Sequence, residues 1–424
     1  MNQYLIEGGY PISGKIKVSG NKNAALPCIA AALLTDEPVV LKNIPDIEDV
    51  QVMLEIYRSL GGEAKRKGAN TWQLVLRNIK TSEIPAELAH KIRASILFAG
   101  PLLARSGKAV LPPPGGDVIG RRRLDTHLQA LTELGANINI NSTFEFAASG
   151  LAGADIYLDE ASVTATENAI MAAVTARGKT ILTNAACEPH VQDLCGMLVS
   201  MGAKISGIGS NVLTIRGVKK LTGCEAEIGA DFMEAGSLIG LAAATKGELL
   251  IEGIKPMELR PAKIAFGKLG IVWEHEGNTI RVPPEQTMEV NCDLDGMIPK
   301  IDDAPWPGFP PDLTSITTVV ATQVKGTVLI HEKMFESRLY FTDKLIAMGA
   351  RIVLCDPHRA VISGPTRLTG SQLASPDIRA GMAMVIAALC AQGKSVIDNI
   401  YQIDRGYEDL AARLTSLGAR ISRS

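Results

Sequence analysis

The sequence lacks the cysteine and histidine patterns that hold metals. No Cys-x-x-Cys, His-x-x-x-His or His-Glu-x-x-His spacing occurs among its seven cysteines and six histidines, although such spacings are typical of zinc and redox sites. An odd number of cysteines also leaves one thiol over in any disulfide scheme. We therefore predict free, mostly buried thiols in a reducing cytoplasm, with no disulfide and no structural metal.

Long apolar runs and an excess of basic residues are also missing. No run of 18 or more apolar residues is present, and the N-terminus MNQYLIEGGY carries an acid and glycines instead of a basic segment followed by an apolar one. These absences argue against a membrane helix and a secretory signal. The net charge of −2 argues against a nucleic-acid partner, which usually requires a basic face. Basic residues that take part in the function must therefore form local clusters.

What is present is the composition of an ordinary globular chain. Apolar residues make up 46% of the 424 residues and charged residues 21%, which is typical of globular proteins. The length exceeds that of one typical core, so we expect two or three domains.

An internal repeat organises the whole chain. Six helical patterns end in Leu or Met followed by Gly, and these glycines recur every 67 to 79 residues, at positions 61, 135, 202, 270, 349 and 418. Such a glycine is typical of a left-handed helix cap. Self-similarity at a fixed period indicates a repeated structural unit.

Each repeat has the same predicted contents. A β-branched strand precedes an amphipathic helix, and two polar-alternating strands follow it. Most repeats add an Ala-rich helix that is apolar nearly all round and therefore buried; these helices carry polar residues and are too short to span a membrane. The predicted fold class is α/β (α+β), with two domains of three βαβαββ repeats each around buried helices.

Domain boundaries follow from the repeat. A polar, glycine-containing segment near residues 221–231 separates the third and fourth repeats, and the strand at residues 3–7 completes the C-terminal group. We expect one domain over 22–230 and a second over 1–21 and 231–424. Asn21-Lys22-Asn23 and residues 224–231 then lie where the chain crosses between domains.

The segment LPPPGGDVIGRRRLDTH, residues 111–127, is the first candidate site. Three prolines and two glycines predict a loop, with Asp117 at its tip and three arginines at 121–123. Two interpretations stay open at this point. The segment is either a charged surface turn with its own salt bridges or an anion site with a proton donor above it.

Other cations and one acid add to this pattern. Lys22 precedes an Ala-rich helix, whose N-terminus favours anions. Arg93 and Arg379 lie in otherwise apolar helices, where each needs a partner such as Asp377 or an anionic ligand. Arg338 and Arg405 also fall at repeat ends, so the arginines together suggest a small polyanionic substrate. Asp312, in PWPGFPPDLTS, is either a helix N-cap or a general base.

Seven ordered motifs carry a resemblance over essentially the whole chain. SGNKNAALP, IRAS, PPPGGDVIGRRRLDTHL, PGFPPDLTS, FESR, SPDIRAG and IDRGYE resemble the UDP-N-acetylglucosamine 1-carboxyvinyltransferases, enolpyruvyl transferases of peptidoglycan synthesis and hence of cell-wall growth, cell shape and division. The resemblance implies a two-domain inside-out α/β barrel fold, with the active site in the cleft between the domains.

The resemblance also implies the substrates and their ligands. Phosphoenolpyruvate would be bound by Lys22, Asn23, Arg122, Arg338, Arg379 and Arg405. UDP-N-acetylglucosamine would be bound by Arg93, Arg122, Arg123, Leu124, Asp125, Thr126, Glu160, Ala161, Ser162, Val163, Asp312 and Met334. Lys22 would also act in catalysis, Asp312 would take the proton of the sugar 3′-hydroxyl, and Asp117 would protonate the enol methylene, giving a tetrahedral ketal that loses phosphate. No cofactor or metal is implied.

The sequence departs from the family pattern at three positions. Asp117 stands where most members have the cysteine that fosfomycin alkylates, so we expect catalysis that is insensitive to the drug. Glu160 and Arg123 stand where the family often has lysine and proline, which affects the expected nucleotide contacts.

Two alternatives remain. The sister family, 3-phosphoshikimate 1-carboxyvinyltransferase, has the same six repeats, but NKNAALP, the Pro-Gly loop and PGFPPD resemble the UDP-sugar branch. A catalytically silent UDP-sugar-binding paralogue is the other; loss of Lys22, Asp312 or Arg405 would favour it, and all three are present. The oligomeric state does not follow from the sequence.

Overall fold

The computed structural model describes residues 3–117 and 119–424. The chain divides into two compact units, each with its own hydrophobic core. The first unit comprises residues 20–117 and 123–229, and the second comprises residues 3–19, 119–122 and 230–424.

Strands and short helices alternate along both units. The strands are β1 (Gln3–Glu7), β2 (Gly14–Lys17), β3 (Val39–Lys42), β4 (Glu63–Gly68), β5 (Thr71–Val75), β6 (Lys108–Leu111), β7 (Asn137–Ile140), β8 (Phe144–Ala147), β9 (Asp155–Tyr157), β10 (Lys179–Thr183), β11 (Lys204–Ser206), β12 (Val212–Arg216), β13 (Cys224–Glu227), β14 (Leu249–Glu252), β15 (Glu274–Glu276), β16 (Thr279–Val282), β17 (Lys300–Asp302), β18 (Gly326–His331), β19 (Ile352–Asp356), β20 (Arg359–Gly364), β21 (Gln372–Ala374), β22 (Lys394–Asp398) and β23 (Arg420–Arg423). The α-helices are α1 (Lys22–Ala31), α2 (Glu48–Ser59), α3 (Ala86–Ala89), α4 (Ala99–Ser106), α5 (Asp125–Glu133), α6 (Val163–Ala173), α7 (Pro189–Ser200), α8 (Phe232–Thr245), α9 (Arg260–Lys268), α10 (Thr314–Ala321), α11 (Thr342–Ala347), α12 (Ile378–Cys390), α13 (Tyr401–Asp404) and α14 (Leu410–Ser416). Short 3₁₀ helices span Ala32–Leu34, Arg93–Phe98, Pro256–Leu259, Leu294–Gly296 and Pro311–Leu313.

Within the described residues, each unit contains three sheets. In the first unit their strand orders are β13-β3-β5-β4, β6-β8-β7 and β11-β12-β10-β9. In the second unit they are β15-β16-β14-β2, β17-β18-β20-β19 and β21-β22-β1-β23. β1 pairs antiparallel with β22 and β23, so the N-terminal strand completes a sheet of C-terminal strands. The six sheets correspond to the six repeats, and the α/β fold class is confirmed.

Three helices lie inside the core of each unit. In the second unit α8, α10 and α12 pack against one another, and nearly every residue of each is buried. In the first unit α1, α4 and α6 occupy this position. Their small alanine side chains allow such helices to be covered on all sides by other apolar groups.

The six repeat glycines all follow a helix with positive φ, between 69° and 106°. This left-handed conformation is costly for residues with a Cβ atom. Their predicted role as helix caps is therefore confirmed.

The sequence pattern was wrong on one buried helix. It predicts a continuous helix over residues 85–105, whereas the structure has α3, a 3₁₀ helix at Arg93–Phe98 and α4. Ile92 is extended, with φ −138° and ψ 146°, and separates the first two. The break places Arg93 at the start of a new helical segment instead of inside an apolar one.

No helix in the described residues is long and apolar enough to cross a membrane. Over the same residues, no group of three or more His, Cys, Asp or Glu side chains is arranged to hold a metal ion.

Candidate active site

The Pro-Gly loop of the first unit packs closely against residues 89–93. Gly115 N donates a hydrogen bond to Ala89 O at 3.1 Å. A Cβ atom at Gly115 would lie only 1.7 Å from His90 O, so any larger residue would force the loop away. Asp117 ends this part of the loop with its side chain partly exposed. A Cβ atom at Gly116 would lie 2.9 Å from Arg93 Cβ, so the glycines place the residue before Asp117 against Arg93.

Of the three consecutive arginines, Arg123 belongs to the first unit. Arg93 Nη2 donates to Arg123 O at 2.9 Å, and Arg123 Nε lies 2.9 Å from Asp125 Oδ2. The hydrogen bond that Arg123 donates to Asp125 raises the pKa of Arg123. Both side chains are largely exposed, so this pair adds little to stability. Arg123 thus fits the interpretation of a surface turn with its own salt bridge, whereas Arg93 fixes the turn's backbone.

Leu124 is the residue before α5, and Asp125 to His127 form the first turn of this helix. Thr126 is buried, and its Oγ1 donates to Asp159 Oδ1 at 2.6 Å. His127 is also buried; its Nδ1 lies 3.0 Å from Asn168 Nδ2 and its Nε2 lies 3.0 Å from Thr164 Oγ1. Burial and, to a smaller extent, the charge of Arg93 together lower the pKa of His127 to about 3. The imidazole is therefore neutral and serves as a fixed hydrogen-bonding link between α5 and α6.

The candidate residues 160–163 lead into α6. Glu160 is exposed, and Ala161 and Val163 are partly buried. Ser162 is the N-cap of α6, and its Oγ accepts a hydrogen bond from Ala165 N at 3.4 Å. The sequence predicted a binding role for Ser162, and the structure adds a capping role.

Lys22 is the first residue of α1 and is almost fully buried. Asn21, the N-cap, accepts from Asn23 N at 2.8 Å and Ala24 N at 3.3 Å. Lys22 Nζ lies 2.6 Å from Asp49 Oδ2, and both side chains are at most 10% exposed. The ammonium group of Lys22 thus lies at the N-terminal end of a helix, a position that favours binding of an anion.

Residues 119–122 belong to the second unit. Ser337 N donates to Ile119 O at 3.1 Å. The backbone N–H groups of Glu336 and Arg121 lower the pKa of the Glu336 carboxyl. Arg122 is partly buried. The segment with Arg121 and Arg122 is thus held against the segment that carries Arg338.

Asp312 is bound by two buried arginines. Arg338 Nη2 lies 3.1 Å from its Oδ1, and Arg379 Nε lies 2.9 Å from its Oδ2. Arg338 comes from the segment after β18, Arg379 from the first turn of α12, and Asp312 from the 3₁₀ turn before α10. The N-cap interpretation of Asp312 is wrong, because α10 begins after Leu313 without a side-chain cap.

Arg379 also contacts Tyr407. Its Nη1 lies 3.2 Å from Tyr407 Oη, which lies 3.1 Å from Ser237 Oγ. Burial opposes the charge of Arg379, but Tyr407, Asp312 and Asp231 raise its pKa well above its usual value. Asp377, the partner suggested by the sequence, caps α12 and accepts the backbone N–H groups of Arg379 and Ala380. Arg379 is therefore a fully charged group whose guanidinium donates a hydrogen bond to the phenol oxygen of Tyr407.

Two further candidates lie in the second unit. Arg405 is buried, and its Nη1 donates to Gln402 Oε1 at 2.7 Å. Met334 is partly buried, and its backbone N donates to Asp303 Oδ2 at 3.3 Å.

Sequence reasoning missed the groups that hold these residues in place. The partners Asp49, Asp159 and Tyr407, and the caps Asn21 and Asp231, were not singled out for these roles. A partial signal exists for Asp231, since an acid before a long apolar helix is typical of an N-cap. Asp49 carries no comparable signal, because an acid in a first helical turn is common.

Three comparisons relate the chain to known proteins. A family model described as EPSP synthase (3-phosphoshikimate 1-carboxyvinyltransferase) matches residues 6–414. UDP-N-acetylglucosamine 1-carboxyvinyltransferases of Treponema denticola and Treponema pallidum are 69% and 63% identical, over 99% of both chains in each case. The corresponding protein of Borreliella burgdorferi is 57% identical over 100% of this chain and 99% of its own.

Solved structures show the same fold at low identity. The enolpyruvyl transferase NikO from Streptomyces tendae aligns with a TM-score of 0.89 at 23% identity, covering 100% of this chain and 99% of its own. EPSP synthase from Acinetobacter baumannii aligns with a TM-score of 0.76 at 17% identity over 100% of both chains. The chain is therefore an enzyme of the EPSP synthase family, and within that family it belongs to the group of UDP-N-acetylglucosamine 1-carboxyvinyltransferases.

Proposed function

We propose that the enzyme transfers the enolpyruvyl group of phosphoenolpyruvate to the 3′-hydroxyl of UDP-N-acetylglucosamine and releases phosphate. The observation that carries the proposal is the pairing of Asp312 with Arg338 and Arg379. Two buried cations and one acid suit a reaction that binds a carboxylate and removes a proton from a hydroxyl. The names of the full-length relatives support the choice of substrates.

Phosphoenolpyruvate presents two anionic groups. In the proposal its phosphate is bound by Lys22, Asn23, Arg122 and Arg405, and its carboxylate by Arg338 and Arg379. Arg338 and Arg379 are each at most 5% exposed and carry charges that their neighbours sustain. Buried guanidinium groups bind a carboxylate more strongly than exposed ones, because water competes less.

The same arginines connect binding to catalysis. Asp312 holds both of them in this structure, so a bound substrate carboxylate competes with Asp312 for their hydrogen bonds. A carboxylate that shares its cations with another anion accepts a proton more readily. Substrate binding would thus prepare Asp312 to remove the proton of the sugar hydroxyl.

The reaction then proceeds by addition and elimination. The sugar 3′-oxygen attacks the central carbon of the enol while Asp117 donates a proton to the methylene carbon, which gives a tetrahedral ketal. The phosphate leaves with the oxygen that bridged it to carbon, and the methyl group returns a proton to the Asp117 carboxylate as the double bond is restored. Lys22 balances the charge of the phosphate during both steps.

The UDP-sugar is proposed to bind through Arg93, Met334, residues 122–126 and residues 160–163, with Asp312 at its hydroxyl. Thr126 and the backbone of Arg123 are held in place by Asp159 and Arg93. A rigid backbone of this kind suits recognition of a nucleotide, since little ordering is needed on binding.

Asp117 also bears on fosfomycin. We propose that the enzyme is insensitive to the drug, because the drug alkylates a thiolate, and a carboxylate is a weaker nucleophile at this position. We further propose that the reaction serves peptidoglycan synthesis in the cytoplasm, where the seven free cysteines would stay reduced.

The description of the family model favours one alternative acceptor, shikimate 3-phosphate. Phosphate release from phosphoenolpyruvate with each acceptor separates the two functions. We expect release with UDP-N-acetylglucosamine alone. Release with shikimate 3-phosphate alone would overturn the proposal, and binding of the UDP-sugar without release would indicate the silent paralogue.

A further inference from the structure

Glu332 is a buried acid beside Arg338 to which the proposed function assigns no role. It follows β18 and has no measurable exposure. Its Oε1 accepts a hydrogen bond from Phe335 N at 3.1 Å, and its Oε2 lies 3.6 Å from Arg338 Nε. No hydrogen bond joins Oε2 to Nε at this distance. One carboxyl group therefore contacts the backbone of the turn and faces the guanidinium that the turn carries.

A second buried acid, Asp303, completes the arrangement. It follows β17, and its carboxylate accepts from Lys333 N at 2.5 Å and from Met334 N at 3.3 Å. Three consecutive backbone N–H groups, of residues 333 to 335, are thus bound by two carboxyl groups. The position of the whole turn depends on these acids, because buried N–H groups need partners.

Asp303 also acts on the carboxyl group of Glu332. Burial raises the pKa of Glu332, Arg338 lowers it, and Asp303 raises it through charge and a hydrogen bond, which together give a pKa of about 8. Glu332 is therefore mainly protonated near neutral pH. The neutral acid leaves the charge of Arg338 directed at Asp312.

The other charged groups nearby do not take the place of Glu332 beside the guanidinium of Arg338. Arg379 and Asp377 act on Arg338 from α12, in opposite directions. The ammonium group of Lys333 pairs instead with Asp302 at 2.8 Å. His358 Nδ1 contacts the backbone O of Glu332 at 2.7 Å and leaves its carboxyl to Asp303 and Arg338.

We propose that Glu332 is a positioning residue for Arg338: buried beside the guanidinium and bound to the backbone N–H of Phe335, it holds Arg338 in place without forming a hydrogen bond to it. This keeps Arg338 available for the carboxylate of phosphoenolpyruvate, and in that respect the inference rests on the proposed function. An ionised Glu332 would complete an ion pair with Arg338 and compete with the substrate.

The test compares wild type with Glu332→Gln and Glu332→Met across pH. In the wild type, KM for phosphoenolpyruvate is expected to rise about tenfold between pH 7 and pH 9, as Glu332 ionises. Gln can accept from Phe335 N and donate to Asp303 without ionising. Glu332→Gln should therefore keep the wild-type KM at pH 7, within about twofold, and lack the additional rise at pH 9.

Glu332→Met retains the volume but not the hydrogen bonds. Its KM for phosphoenolpyruvate should rise about tenfold at both pH values, with a smaller change in kcat, because Arg338 loses its alignment. The exposed Glu276→Gln in β15 is the matched control and should behave as the wild type.

The outcomes separate the two proposals. An active wild type whose rise in KM persists unchanged in Glu332→Gln overturns the role of Glu332 and leaves the proposed function intact. If Glu332 has a purely structural role, both variants should lose thermal stability while the pH profile of KM stays unchanged. That result also overturns the positioning role of Glu332. A wild type that neither turns over nor binds phosphoenolpyruvate in calorimetry overturns both proposals.

Discussion

Arg379 Nε lies 2.9 Å from Asp312 Oδ2, and the two residues are 67 positions apart in the chain. The ion pair joins the first turn of α12 to the 3₁₀ turn before α10. Arg338 binds the other oxygen of the same carboxylate. Asp312 therefore binds both of the arginines that, in the proposed function, bind the carboxylate of the substrate.

Replacing Asp312 by Asn should lower phosphate release at least about 100-fold, because the amide cannot accept the hydroxyl proton. Its two arginines lose a counter-charge, so affinity for phosphoenolpyruvate in calorimetry should stay equal or increase. The exposed Asp343→Asn is the control. Undiminished turnover in Asp312→Asn would rule out Asp312 as the base.

Replacing Asp117 by Cys should make the enzyme sensitive to fosfomycin. The thiolate of a cysteine at this position can be alkylated, whereas the carboxylate reacts poorly. Mass spectrometry of the intact protein after exposure to the drug should show one adduct in Asp117→Cys and none in the wild type. An adduct on the wild type, together with loss of activity, would show that the predicted insensitivity to fosfomycin is wrong.

Asp49→Asn should destabilise the first unit, because Lys22 loses its close buried carboxylate. The expected loss in the free energy of unfolding is about 3 kcal/mol. If Lys22 binds phosphate, added inorganic phosphate should raise the melting temperature of the variant more than that of the wild type. Asp46→Asn, in the same region but with an exposed partner, is the control. An equal effect of phosphate on all three proteins would contradict an anion site at Lys22.

His127→Gln should change how stability depends on pH. The pKa of His127 is about 3 in the folded protein, below its usual 6.5, so folding favours the neutral ring. This contribution is complete above about pH 6.5 and is lost as the pH falls from there toward 3. The melting temperature of the wild type should therefore fall more steeply than that of the variant over this range. The exposed His275→Gln should match the wild type, and parallel curves for His127→Gln would contradict the burial argument.

The repeat could be read from the sequence because its signals are local. Apolar spacing marks the helices, and the glycines at 61, 135, 202, 270, 349 and 418 mark their ends through a backbone conformation that they tolerate best. The continuous helix over 85–105 was the exception. There, the apolar pattern continues through Ile92, although the backbone of Ile92 is extended. The break in the helix therefore cannot be predicted from composition alone.

The site was harder to predict from the sequence than the repeat, for a physical reason. Asp312 acquires its role from partners that come from two other elements, and its own neighbours in the chain left both a helix N-cap and a general base as alternatives. Asp49 and Glu332 likewise matter through contacts with Lys22 and Arg338 that depend on tertiary packing. Motifs therefore located the charged residues that would bind a substrate, whereas the residues that orient them required the structure.

The most direct test of the proposed transfer follows the oxygen that bridges carbon and phosphorus in phosphoenolpyruvate. With this oxygen isotopically labelled and UDP-N-acetylglucosamine as acceptor, addition and elimination predict that the label appears entirely in the released phosphate. The product should be an enolpyruvyl ether whose oxygen comes from the sugar 3′-hydroxyl, formed in equal amount to phosphate. Label retained in pyruvate, or phosphate released without the ether, would contradict the account.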